Sequence, residues 1–122
     1  MEIFLVEDSE VVRERLAAMI SELPGAHLQG YATQPRAAIR DILARKPDIV
    51  VLDAGFEHGS GFEVLREVHR REPGIDFYML SNYPSESFRN YALRLGAQDY
   101  FDITSEIQRV RDTLAKRVAS SM

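Results

Sequence analysis

Short apolar runs alternate along this chain with longer segments whose apolar positions recur every three or four residues. Runs of the first kind suit strands buried on both faces, and the 3.6-residue period suits amphipathic helices. "IFLV" (3–6) reads as a first strand. Residues 9–22 follow as a helix with Val12, Leu16, Met19, Ile20 and Leu23 on one face, stopped by Pro24 and Gly25. "HLQGYAT" (27–33) alternates more weakly and is expected near a sheet edge. Pro35 then opens a helix striped by Ala38, Ile39, Ile42 and Leu43 that closes before Pro47.

"DIVVLD" (48–53) is the strongest strand, apolar on both faces as a central parallel strand must be. Phe62, Leu65, Val68 and the stem of His69 suit one face of the next helix, ended by Pro73 and Gly74. "IDFYML" (75–80) predicts a fourth strand. The helix after it carries Phe88, Tyr91, Ala92 and Leu95, with Gly96 as a left-handed C-terminal residue. "AQDYF" (97–101) predicts the fifth strand, and Ser105 with Gln108 reads as a capping box for a last helix carrying Ile107, Val110, Leu114 and Val118. Five strand–helix cycles without repeats predict one α/β domain over 1–122, a doubly wound parallel sheet of (βα)5 type.

Composition narrows the function classes. A chain of 122 residues with 45% hydrophobic and 28% charged residues is an ordinary globular domain. It has no cysteine, which removes disulfides, thiol nucleophiles and thiolate metal sites, and fits a cytoplasmic location. The net charge of -4 argues against direct nucleic acid binding. No apolar stretch approaches the roughly 18 residues of a membrane span.

In an open parallel sheet the ligand site lies at the carboxyl ends of the strands, so those ends carry the functional expectation. They hold Glu7 and Asp8, then Asp53, then Ser81 and Asn82, then Asp102 and Ile103. Glu7, Asp8 and Asp53 are expected to meet at one rim, where crowded carboxylates repel and a divalent cation resolves the conflict. Oxygen-only ligands favour Mg2+. A carboxylate beside such an ion can also attack phosphorus. Taken alone, a strand-end acid such as Asp53 is more often a turn or helix-capping residue than a nucleophile, and Asp8 or Ser9 could simply cap the first helix. The joint placement of three acids and a hydroxyl favours chemistry.

With the motifs in view, the chain resembles a receiver domain of a two-component response regulator over essentially its whole length. The resemblance rests on "LVEDSEVVRERL", "PDIVVLDAGF", "SGFEVLREV", "YMLSNYPS" and "LGAQDYF", in family order and spacing. It implies a flavodoxin-like sheet of order 2-1-3-4-5 and Mg2+ held by Glu7, Asp8, Asp53 and the backbone carbonyl of Gly55. It implies that Asp53 accepts a phosphoryl group from a sensor histidine kinase or phosphotransfer protein. Ser81 would contact that group, with Ser81 and Tyr100 as the switch pair, and Asn82 and Tyr83 on the same rim. The fourth helix, fifth strand and fifth helix would carry the signal to a protein target or a second copy. Catalysis would extend at most to self-catalysed phosphotransfer and autodephosphorylation.

Two positions depart from the family pattern. The usual lysine after the fifth strand is Ile103, with Asp102 and Thr104 offering no cation and Lys116 too far along the last helix. Glu57 stands where proline is usual, after Phe56. A phosphorylation-independent interaction module is therefore the alternative reading. A Mg2+-dependent phosphatase of the haloacid dehalogenase type is a more distant one, since the second Asp it needs is Gly55. His58 reads as a solvated loop residue, and His27 and His69 as strand-edge and helix residues. Arg109, Arg111, Lys116 and Arg117 form a basic face that, beside Glu106 and Asp112, would suit a reciprocal dimer contact.

Overall fold

The computed structural model describes residues 1–55, 61–83 and 85–121. Phe56, Glu57, His58 and Gly59, on which expectations were placed above, lie outside the described residues. The strands are β1 (Glu2–Val6), β2 (His27–Ala32), β3 (Ile49–Asp53), β4 (Asp76–Ser81) and β5 (Asp99–Asp102). The helices are α1 (Glu10–Ser21), α2 (Pro35–Arg45), α3 (Gly61–Arg71), α4 (Glu86–Leu95) and α5 (Ile107–Ala119). All pairings are parallel and the order is β2-β1-β3-β4-β5, so β2 is indeed an edge strand and β3 is central.

Strand alternation divides the core into two layers. Phe4, Val6, Val50, Leu52, Phe77, Met79 and Tyr100 face α2, α3 and α4. Ile3, Leu5, Ile49, Val51, Tyr78, Leu80 and Phe101 face α1 and α5. Ile49 to Leu52 are fully buried, which is why this run shows no polar alternation in sequence. Burying each such side chain stabilises by roughly 1.5–3 kcal/mol relative to exposure. β3 is accordingly a stiff mount for the aspartate at its end.

Helix ends follow local chemistry. Ser9 caps α1 by accepting from Val12 N–H, and Ser85 caps α4 by accepting from Phe88 N–H. Gly96 closes α4 in the left-handed region at φ 114°, as expected. α5 corrects the capping-box expectation. It begins at Ile107 behind Glu106, with no side-chain cap, and Gln108 bonds Asp112 instead. Asp102 takes the N–H and hydroxyl of Thr104 in a tight turn, and Glu106 reaches back to the Asp102 N–H, so the helix starts later than Ser105.

Candidate functional site

Two neighbouring strand ends bring the acids together. β1 ends at Val6 and delivers Glu7 and Asp8, while β3, paired beside it through Val6 and Leu52, delivers Asp53. Carboxylate oxygens of Glu7, Asp8 and Asp53 lie within 4.8 Å of one another. Glu7 is buried, Asp53 partly so and Asp8 exposed, which gives the cluster one wet side. Glu7 accepts from Ser9 N–H at 3.0 Å, and Asp53 accepts from Gly55 N–H at 3.1 Å. None of the three acids forms an ion pair with a cation among the described residues.

The electrostatic consequence is a strained set of charges. Burial pushes the Glu7 carboxyl up to about 8, with the neighbouring Asp53 and Asp8 charges adding to it against the Ser9 hydrogen bond. Asp53 is raised for the same two reasons, burial first and the Asp8 charge second, while the Gly55 N–H works the other way. A site in which burial and neighbouring acids hold back ionisation, with hard oxygen donors this close, fits a divalent cation such as Mg2+. Asp102, in contrast, lies outside this cluster, and the Thr104 hydroxyl and N–H hold its carboxyl low.

The fourth strand brings Ser81 to the same rim, since Asp53 pairs in register with Leu80. Its hydroxyl is turned to its own loop. Oγ accepts from Tyr83 N–H at 2.9 Å and donates to Tyr83 C=O at 3.2 Å. The Tyr100 hydroxyl donates to that same carbonyl at 3.4 Å, and the Tyr100 side chain is only 4% exposed. Asn82 and Tyr83 are both exposed on the rim, Tyr83 at 72%.

Ile103 sits beside Ser81, donating its N–H to the Ser81 carbonyl at 2.9 Å. Its side chain packs on the α1–α5 layer of the core. There it lines a groove of about 300 Å³ with Val12, Leu16, Asn82, Thr104 and Ile107. The aliphatic chain at this position is spent on packing.

Sequence reasoning missed the polar network beneath this rim. Arg89 of α4 donates to Asp99 at 2.8 Å and to the Tyr100 carbonyl at 3.0 Å, and Arg109 of α5 reaches Asp99 from the other side. The basic face foreseen on α5 is correspondingly divided. Arg109 pairs with Glu106 and Asp99, and Arg117 with Asp76 at the far end of β4. It also missed an aromatic contact, in which Phe62 of α3 packs against Tyr91 and Phe88 of α4 with ring centres 5.1 and 5.9 Å apart. The i, i+3 spacing of Phe88 and Tyr91 was the available signal, though it reads equally as core. His27 pairs with Glu2, and the His69 ring packs under Gly96, consistent with the structural roles expected of them.

Comparison with known proteins accords with this geometry. Residues 3–115 match the sequence profile of the family described as response regulator receiver domain. The chain is 32% identical over 100 residues to the DNA-binding transcriptional activator DevR/DosR of Mycobacterium tuberculosis, covering 82% of this chain and 46% of that protein. It is 32% identical over 122 residues to protein-glutamate methylesterase/protein-glutamine glutaminase 3 of Geobacter sulfurreducens, covering 95% of this chain and 32% of that protein. It thus spans less than half the length of either relative. The response regulator domain of Thermotoga maritima CheB superposes with a TM-score of 0.82 at 23% identity, over 98% of this chain and 94% of that one. Among the described residues no helix is long and apolar enough to cross a membrane.

Proposed function

This chain belongs to the response regulator receiver domain family of two-component systems, and from that premise we propose that Asp53 is its phosphoacceptor. The observation that carries the reading is the meeting of Glu7, Asp8 and Asp53 within 4.8 Å at the end of the central strand. The donor is a phosphohistidine on a sensor histidine kinase or phosphotransfer protein. An Asp53 carboxylate oxygen attacks phosphorus, the P–N bond breaks, and the imidazole leaves with the electron pair and takes up a proton. The product is an acyl phosphate on Asp53, which water later hydrolyses.

Glu7 and Asp8, with Asp53 and the Gly55 carbonyl, are the groups that would hold Mg2+. Bound there, the ion would supply positive charge to three carboxylates that form no ion pair among the described residues. The chain's own residues do the rest. β3 fixes Asp53, the Gly55 N–H orients its Oδ1, and Ser81 would offer a phosphoryl oxygen the hydroxyl it now gives to the Tyr83 carbonyl. Leaving Tyr83, Ser81 would alter the shared carbonyl that also holds Tyr100. The surface formed by α4, β5 and α5 then reads out the state to a protein partner or a second copy, within the cytoplasm.

A specific observation keeps a second reading alive. With Ile103 packed into the α1–α5 layer, no side-chain amine at that position couples Asp53 to β5. A module that binds its partner without phosphorylation is the corresponding alternative. The two are separated by titrating the protein with beryllofluoride, with and without Mg2+, and following tyrosine fluorescence, since the chain has no tryptophan. Saturable, Mg2+-dependent change that disappears in Asp53→Asn supports the phosphoacceptor; no change in the wild type rules for the phosphorylation-independent module.

A further inference from the structure

We propose that the contact of Phe62 with Tyr91 and Phe88 transmits the state of Asp53 to α4 and, through Arg89, to β5. The inference rests on Asp53 being the phosphoacceptor and adds the route by which the output surface responds without an amine at Ile103.

The route begins with a close backbone approach. Gly61, the first residue of α3, lies so near the end of β3 that an added Cβ would stand 2.1 Å from the Asp53 carbonyl oxygen and 2.9 Å from Ala54 Cα. No slack separates the Asp53 backbone from the first turn of α3. The Gly61 N–H also donates to the Ala54 carbonyl at 3.3 Å, so a shift at Asp53 and Ala54 moves the start of the helix with it.

Phe62 is the next residue, and its ring is tilted 48° against Tyr91 and 55° against Phe88, both on α4. Offset and tilted aromatic pairs have defined geometry, so displacing one ring displaces or unseats its partner. Between them in sequence stands Arg89, whose guanidinium holds Asp99 and the Tyr100 carbonyl. Contacts thus run from Asp53 through Gly61 and Phe62 to Tyr91 and Phe88 on α4, and the same helix carries Arg89, which holds Asp99 and the Tyr100 carbonyl.

α4 is also the helix best able to respond. Ala92 is its single buried residue, whereas α3 buries Gly61, Val64, Leu65 and Val68. Phe88 is 48% exposed. A helix with so little buried area is held by its edge contacts, here the aromatic cluster and Arg89, and elements of that kind take alternative positions at low cost.

The full chain, with Mg2+ and beryllofluoride, is followed by amide hydrogen exchange in α4 and β5 for the wild type and for Phe62→Leu, Tyr91→Leu, the double variant and Phe62→Tyr. Beryllofluoride should change exchange in α4 and β5 of the wild type several-fold. Phe62→Leu and Tyr91→Leu should each cut that response at least threefold while moving the beryllofluoride midpoint less than twofold, and the double variant should be no worse than either single. Phe62→Tyr, which keeps the ring, should respond as wild type, and it guards against a variant that merely folds poorly. A full α4 response in Phe62→Leu, or independent and additive losses, overturns this inference alone. Absence of beryllofluoride binding in the wild type overturns the phosphoacceptor reading and this inference with it.

Discussion

Ser81 and Tyr100 meet at one atom: both hydroxyls donate to the backbone carbonyl of Tyr83, at 3.2 and 3.4 Å. The two side chains come from neighbouring strands, β4 and β5, and the acceptor belongs to the loop after β4. A change at either hydroxyl therefore alters what is left for the other.

Replacing Ser81 by Ala removes both of its bonds to Tyr83, a loss of about 1 kcal/mol for part-buried neutral hydrogen bonds. Ser81→Ala should lower the unfolding free energy from urea denaturation by that amount and leave Tyr100 with an unshared acceptor. Beryllofluoride should then shift tyrosine fluorescence much less than in the wild type. An undiminished shift would separate Ser81 from the switch.

The metal-free protein should lose stability as pH rises. The Glu7 carboxyl titrates near 8 when folded against an ordinary value of 4.5, so between those values the folded chain binds the extra proton and the unfolded chain does not. Stability is fully present below the unfolded value and declines through the folded one, with a slope of at most about 1.4 kcal/mol per pH unit for one proton. Asp53, also raised, works in the same direction. Thermal melts in chelator should show Tm falling from about pH 5 to pH 8, and excess Mg2+ or Glu7→Gln should flatten the decline. A metal-free Tm that rises across this range contradicts the burial argument.

Ile103→Lys should exchange a little stability for coupling. Ile103 is partly buried on the α1–α5 layer, and lysine can lay its methylenes in the same groove and lift its ammonium to the acidic rim. A cost of about 1 kcal/mol is expected from the lost packing. Under phosphorylating conditions the variant should show stronger self-association than the wild type in analytical ultracentrifugation. Equal association in both would mean that the missing amine is not what limits transmission.

Gly61→Ala probes how tightly α3 abuts the acceptor. The new methyl would meet the Asp53 carbonyl at 2.1 Å, and that partner is backbone that cannot turn aside. Destabilisation of about 2 kcal/mol or more is expected, together with weaker beryllofluoride binding, because Asp53 itself must move. Gly55→Ala is the control, since its nearest neighbour lies at 3.9 Å, and it should fold as wild type.

The fold was legible wherever burial left a periodic trace. The unbroken apolar run of β3 and the alternating stripes of α1 and α2 predicted elements within a residue or two of those found. Legibility failed where a polar side chain had two plausible partners. Ser105 and Gln108 have capping-box spacing, but Asp102, Thr104 and Glu106 bond one another in a turn ahead of the helix, which begins at Ile107 behind Glu106. The acidic cluster was readable because all three acids end or follow strands, and parallel pairing brings such ends together. The Tyr83 carbonyl and the Arg89–Asp99–Arg109 network were not, because neither a backbone acceptor nor a cross-element ion pair leaves a local pattern.

The most direct test of the central claim is the intact mass of the chain after incubation with Mg2+ and a small phosphodonor. Wild type should gain the mass of one phosphoryl group, Asp53→Asn should gain nothing, and chelation of Mg2+ should abolish the gain. A wild-type chain that stays unmodified in Mg2+, or an Asp53→Asn variant modified as readily as wild type, would contradict Asp53 as the phosphoacceptor.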